Sequence, residues 1–129
     1  MVALAPDART GDGSSRIPAE LAGFFGIAEK WELTADEQIK LLGSPGRSTF
    51  FKWKKLGGEL PKDTIERISH LLAIFKALEI ILPDPRLADG WARKANSYFH
   101  DQSALDIMLQ GQLVDIYTVR QYVDAQRGG

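Results

Sequence analysis

The chain contains no cysteine, which excludes disulfide frameworks and thiolate metal sites. Histidine is nearly as scarce. His70 and His100 are the only two, thirty residues apart, and neither has the i, i+4 or His-Glu spacing of a helical metal site. A bilayer-spanning apolar run is missing, as is an apolar signal core behind Met1, so no membrane partner and a cytoplasmic location are expected. Charge of one sign is not in excess either: 16 Lys and Arg against 17 Asp and Glu leave a formal charge of -1. Whole-molecule attraction to nucleic acid is therefore not expected, and any basic function must be local. Asp101, Asp106 and Asp115 fall at loop and helix-cap positions, where capping and solubility explain them better than acid–base chemistry. No strand precedes any glycine in the manner of a phosphate-binding loop. The expectation is a protein that is not an enzyme, with no catalytic residues, no metal and no cofactor.

What remains is an ordinary composition, 44% hydrophobic and 26% charged over 129 residues, enough for one domain or two small helical units sharing a core. Residues 1–16 are small and polar with no periodicity, and read as a disordered tail. Everything after them reads helical. Pro18 opens a first helix burying Leu21, Phe24, Phe25 and Ala28, ending near Trp31. Thr34 and Glu37 have capping-box spacing and open a second, with Ile39 and Leu42 as its inner face and Gly43 as its stop. Arg47 to Lys55 form a third, stopped by Gly57-Gly58. Asp63 and Glu66 are read as capping a long fourth helix that reaches Leu82, apolar nearly all round in its second half. Such a helix belongs at the centre of a core or at a subunit interface; as an interface, Ile74, Leu78 and Ile81 would make a homodimer. Pro83-Asp84-Pro85 breaks it and marks the one good internal boundary. A short helix through Leu87 and Trp91 follows, then one capped by Ser103 and Asp106 and stopped by Gly111. A last runs from about Asp115 to Gln126 over Ile116, Val119 and Val123. The fold class is all-α: a helix-turn-helix-like bundle over 17–82, including the long connecting helix, and a small helical unit over 83–129.

The third helix carries the local basic excess. Between Ser44 and Lys62, Arg47, Lys52, Lys54, Lys55 and Lys62 stand against Glu59 alone. At 100° per residue Ser48, Lys52 and Lys55 share one face, while Phe50 and Trp53 share the opposite one. Arg47, Ser48, Thr49, Lys52, Lys54 and Lys55 are the candidate DNA contacts, as in a recognition helix that sets polar residues against bases and phosphates. A solvated face on a structural three-helix unit would look the same. Phe51 borders that face, either beneath a lysine stem or in a dimer surface. Trp31, Trp53 and Trp91 sit at helical spacing with apolar neighbours and read as core, with Trp91 the one to reach an interface.

In the C-terminal half, Leu105, Met108, Leu109, Leu113 and Tyr117 are more apolar side chains than two short helices can bury between themselves, which leaves some for a partner. Arg120 and Arg127, read from the residues alone, complement a helix C-terminus by the macrodipole.

Phe50-Phe51-Lys52-Trp53, Leu60-Pro61-Lys62-Asp63, Arg67-Ile68, Trp91, Phe99, Ser103-Ala104-Leu105 and Gly111 stand in an order and spacing that resembles the Xre/MbcA/ParS antitoxin family, over Pro18 to Gly129. Ala95-Asn96 replaces the Pro-Asn of many members, and Ser103-Ala104 replaces Ser-Pro; a proline there only pre-sets a turn or first helical position. The resemblance implies an antitoxin of a type II toxin–antitoxin pair. Its partner would be a RES-domain toxin, an enzyme that consumes NAD or uses it for ADP-ribosyl transfer, with operator DNA as a second partner through repression of the operon. Trp91, Phe99, Leu105, Met108 and Leu109 would build the toxin contact. The last helix would aim Gln126, Arg127, Gly128 and Gly129 at the NAD site, with Arg120 among the wider set of toxin contacts, in a homodimer or a hetero-oligomer with the toxin. The alternative is a stand-alone helix-turn-helix regulator whose C-terminal unit only dimerises.

Overall fold

The computed structural model describes residues 17–128, so the tail expected over 1–16 and the terminal Gly129 lie outside the described residues. Among the described residues seven α-helices follow one another: α1 (Ala19–Lys30), α2 (Ala35–Leu41), α3 (Arg47–Leu56), α4 (Lys62–Ile81), α5 (Pro85–Gly90), α6 (Ala104–Met108) and α7 (Leu113–Gly128). Between α5 and α6 stand two 3₁₀ turns, Trp91–Arg93 and Ser97–Phe99, and an antiparallel ladder of β1 (Ala95–Asn96) with β2 (Gln102–Ser103). The all-α reading holds; this ladder is the only sheet among the described residues.

Local chemistry explains most of the boundaries. Thr34 accepts from the backbone N–H of Glu37, whose carboxylate accepts from Thr34 in return, and Ser103 and Asp106 do the same for α6. Gly43, Gly57 and Gly111 end α2, α3 and α6 at positive φ, where a side chain would be strained. Three readings need correction. Pro61, not Asp63, precedes the first turn of α4 and no side chain caps it; Asp63 is instead drawn to Arg67, one turn on. The inner face of α2 is Gln38, Leu41 and Leu42, with Ile39 only half-buried, because Gln38 turns inward to donate to the Leu33 carbonyl at 3.0 Å. α7 extends over Leu113–Gly128, so Arg127 and Gly128 belong to its last turn rather than to a free end.

α4 is the spine of the molecule. It touches α1 through Leu72 against Gly23 and Phe75 against Trp31, with ring centroids 6.4 Å apart. Against α7 the contacts advance in step: Arg67 with Gly111, His70 with Tyr117 and Arg120, then Leu78 and Ile81 beside Val123 and Gln126. α4 and α7 therefore run parallel, and the segment from α5 to α6 is the crossover that returns the chain to the start of α7. One apolar cluster passes through both halves, from Leu21 and Phe24 through Ile68, Leu71 and Ile74 to Met108, Ile116 and Val123. Ile74 and Leu78 are thus wrapped by their own chain, at 0% and 3% exposure, and Ile81 is partly buried against the same core. The homodimer expected through these three residues is not available to them.

Two arginines tie the halves together. Arg93, in the first 3₁₀ turn, donates to the Trp31 carbonyl at 3.0 Å, to the Glu32 carbonyl at 2.8 Å and to Glu37 at 2.8 Å, capping the C-terminus of α1 from across the fold. Burial alone would raise the Glu37 carboxyl, but the Thr34 N–H and the Arg93 guanidinium outweigh it and hold the group below the usual carboxylate range. Arg67, buried in α4, donates to Asp63 at 2.7 Å and to the Gly111 carbonyl at 3.0 Å. The Thr64 hydroxyl completes the join by donating to the Leu42 carbonyl at the end of α2.

Candidate functional site

Of the surfaces the core leaves open, two carry candidate contacts. The first is α3. Phe50 and Trp53 are buried, and Ser48, Thr49, Lys52, Lys54 and Lys55 are all exposed, the amphipathic division expected from the sequence. Arg47 is exposed but engaged: it pairs with Asp36 of α2, and its guanidinium lies 5.5 Å above the Phe51 ring. Phe51, 44% exposed, is an edge partner of Phe50 and a platform for Arg47. Lys54 stands apart from its fellows, lining a cleft with Phe25, Glu29, Glu32 and Gln38. Ser48, Thr49, Lys52 and Lys55 are the polar α3 residues left facing outward, with Leu56 exposed at the helix end.

The second face is aromatic and lies where α4 and α7 both end. After the Pro83–Pro85 break, Asp84 caps α5 by accepting from the Arg86 N–H, and the chain passes through Trp91 into the β1–β2 ladder. At its tip Asn96 accepts from the Tyr98 N–H at 2.9 Å, and His100 and Asp101 take left-handed backbone (φ 58° and 67°). This tight hairpin turns Tyr98 outward, 61% exposed. Tyr122 of α7 sits at the hub. Tyr98 lies 4.3 Å from it, Trp91 stacks on it at 6.3 Å with planes 13° apart, and Phe99 meets it edge-on at 5.3 Å. Beside the hub is a hollow of about 160 Å³ lined by Leu78, Ile81, Leu82, Trp91, Tyr122 and Gln126. Such a platform of large, rigid, amphipathic rings around a dent is the composition of an interface centre.

Sequence reasoning found part of this face. Trp91 belongs to it. Phe99, Leu105 and Met108 do not reach the surface, at 4%, 2% and 0% exposure; they support it from below, and Leu109 is half-buried against the same core. Tyr98 and Tyr122 were missed. The signal for Tyr122 was its position beside the buried stripe Val119–Val123, and for Tyr98 the Asn96 turn. The two arginines are separated from the face. Arg120, Asp124 and Arg127 occupy the other flank of α7, in a groove with Ala73, Lys76 and Gly128. Arg120 is committed there, to His70 Nδ1 at 2.9 Å and Asp124 at 3.4 Å. Arg127 is exposed and makes no hydrogen bond or ion pair among the described residues. Gly128 adjoins it and Gly129 lies outside the described residues.

Because a guanidinium has no acceptor, His70 Nδ1 must accept, and its proton sits on Nε2. Burial and then the Arg120 charge lower the His70 pKa, with Glu66 opposing them. The unfolded chain therefore binds a proton that the folded chain refuses. His70 contributes no penalty above its ordinary pKa, about 6.5, and stability falls as the pH drops below that value toward the lower folded-state pKa. Thermal melts at neutral and at mildly acidic pH should show a larger loss for the wild type than for His70→Gln; equal losses would show that this contact carries no proton linkage.

No helix among the described residues is long and apolar enough to cross a membrane. Compared with known proteins, residues 15–73 match the family model described as the antitoxin Xre-like helix-turn-helix domain. Residues 77–129 match that described as the antitoxin Xre/MbcA/ParS C-terminal toxin-binding domain. The chain is also 66% identical over 116 residues, 90% of each protein, to one named "Uncharacterized protein y4oB" from Sinorhizobium fredii (strain NBRC 101917 / NGR234).

Proposed function

The chain belongs to the Xre/MbcA/ParS antitoxin family, and from that premise we propose that it neutralises a RES-domain toxin by covering the toxin's NAD site with its C-terminal unit. The observation that carries this reading is the Trp91–Tyr98–Tyr122 platform, since it is the solvent-facing aromatic cluster within the segment that matches a toxin-binding domain. Gln126 lines the hollow beside it, while Arg127 and Gly128 belong to the other flank of the same last turn of α7; that turn is the part assigned to the toxin's cleft. Bound this way, the antitoxin keeps NAD out by occupying space and by desolvating the rim of the pocket. The toxin and antitoxin form a hetero-oligomer, and the antitoxin itself performs no chemistry.

The test is co-expression with the toxin, scored by growth and by NAD consumption in the purified complex. Deleting residues 124–129 preserves folding, because Val119 and Val123 still anchor α7. It weakens inhibition by about tenfold or more, or about 1.4 kcal/mol. A truncated chain that protects cells as well as the full one would assign inhibition to the aromatic platform without the terminal turn. A chain that never co-purifies with the toxin would favour the stand-alone regulator.

Repression of the toxin–antitoxin operon through α3 is the second half of the proposal. It rests on the outward Ser48, Thr49, Lys52 and Lys55 and on the match to a helix-turn-helix domain. Lys52→Glu with Lys55→Glu should abolish operator retention at low salt and leave toxin neutralisation intact. Milder Lys→Gln changes should lower the slope of log affinity against log salt by about 2, one per phosphate contact removed. Unchanged retention in the charge-reversed variant would mean that the basic face does not touch DNA.

A further inference from the structure

Phe25 on α1 meets Phe50 on α3 edge-on, with ring centroids 6.1 Å apart, and beside this contact the two helices leave a cleft of about 410 Å³. That volume lies within the range of small-molecule sites, roughly 300–1,000 Å³. The cleft is lined by charges of opposite sign. Glu29 and Glu32, at the end of α1, contribute two carboxylates, and Lys54, in the last turn of α3, an ammonium group. All three residues are exposed. None of them is in an ion pair among the described residues, so both signs share the cleft without closing on each other.

Gln38 of α2 lines the same cleft and is 7% exposed. Its amide nitrogen donates to the Leu33 carbonyl at 3.0 Å. That bond fixes which way the amide is turned, since a carbonyl oxygen accepts and cannot donate. Gln38 Oε1 is therefore an acceptor, and it is buried with no donor among the described residues. A buried acceptor without a donor is costly, so a donor brought from outside the chain gains more here than at an exposed carbonyl. Glu32 is unexpected for another reason. It follows the C-cap of α1 in left-handed backbone, at φ 56°, where glycine is the usual residue. Its carbonyl accepts from Arg93 at 2.8 Å, which accounts for the fixed backbone but not for the carboxylate.

We propose that this cleft binds a small zwitterion with a guanidinium group at one end and a carboxylate at the other, free L-arginine being the simplest. Three acceptors, the Glu29 and Glu32 carboxylates and Gln38 Oε1, require a cation that donates in several directions at once. A planar guanidinium has five donors, pairs with a carboxylate through two parallel bonds, and lies flat on an aromatic ring such as Phe25. An ammonium group, a point charge with three donors, matches that set less well. Lys54 repels a plain cation and attracts an anion, so the far end of the ligand carries the carboxylate. An arginine side chain on a protein surface brings no such group with it. A metal ion fits poorly, because no group of three or more His, Asp or Glu side chains among the described residues could hold one. The proposal rests on neither the toxin reading nor the operator reading.

Isothermal titration of the full chain with L-arginine should show saturable binding at roughly millimolar concentration or below, and the side-chain amide resonances of Gln38 should shift as the site fills. Glu29→Gln with Glu32→Gln, both at exposed positions, should leave the melting curve in place and weaken binding by about tenfold or more. Citrulline, the uncharged isostere, should bind the wild type about tenfold or more below arginine. Agmatine, the same guanidinium without the carboxylate, separates the two ends of the ligand. Lys54→Gln should weaken arginine binding and leave agmatine binding unchanged. Absence of saturable binding, with no shift at Gln38, overturns the proposal. So does an arginine affinity that the double Gln variant retains, and a wild type that binds agmatine as tightly as arginine.

Discussion

Tyr98→Ala is expected to weaken toxin neutralisation by roughly thirty- to thousandfold, about 2–4 kcal/mol. The effect is large because Tyr98 combines exposure with rigidity. It stands 61% exposed, yet its backbone is fixed by the Asn96 acceptor, and its ring is held 4.3 Å from Tyr122. A side chain already ordered before binding contributes its contact area with little further entropy loss. Its removal should barely alter folding, since substitution at so exposed a position stays within about 0.5 kcal/mol. Isothermal titration against the toxin together with a thermal melt separates the two. Full neutralisation by Tyr98→Ala would remove the aromatic platform from the contact. Phe99→Ala, one residue along, should behave in the opposite way, because Phe99 is 4% exposed: it loses about 3–5 kcal/mol of stability and affects the toxin only through that loss.

Arg67→Ala carries the largest expected effect on the fold outside the apolar core, about 2–4 kcal/mol. Arg67 is 7% exposed, and its guanidinium joins Asp63 to the Gly111 carbonyl, so that the start of α4 and the start of α7 are held in register. Truncation leaves a space where the stem packed and deprives the Gly111 carbonyl of its donor. At about 4 °C per kcal/mol for a chain of this length, the melting temperature should fall by roughly 7–15 °C. Arg67→Met restores most of the volume without the bonds and should recover part of the loss, since an apolar residue of similar size tolerates such a site better than a void does. A melting curve that Arg67→Ala leaves in place would show that apolar packing alone aligns α4 with α7. Both variants should also loosen the aromatic face, because α7 carries its hub.

Much of this protein is determined by short-range chemistry, and that part is legible in the sequence. Capping boxes at Thr34–Glu37 and Ser103–Asp106, glycine stops at Gly43, Gly57 and Gly111, and the Pro83–Pro85 break act within a few residues of themselves. They therefore place the helices without reference to the fold. The α3 division into a Phe50–Trp53 face and a polar face is likewise a matter of 3.6-residue spacing. Which apolar side chains end inside is a different question, because helical spacing does not say what will cover an exposed stripe. α7 returns parallel to α4 and seals Ile74 and Leu78, so those residues are core and the free apolar surface moves to Ile65 and Ile80. The crossover that permits the parallel return folds Phe99, Leu105 and Met108 under the C-terminal unit and leaves Tyr98 and Tyr122 on top; the local signals at these two, a turn and a place beside a buried stripe, do not say that they meet. The separation of Arg120 and Arg127 from the aromatic face arises the same way: α7 is wedged between α4 and the hairpin, and its two flanks look onto different neighbours. Helices, stops and breaks belong to the sequence by itself; the choice of faces belongs to tertiary packing, where residues far apart in the chain compete to exclude the same water.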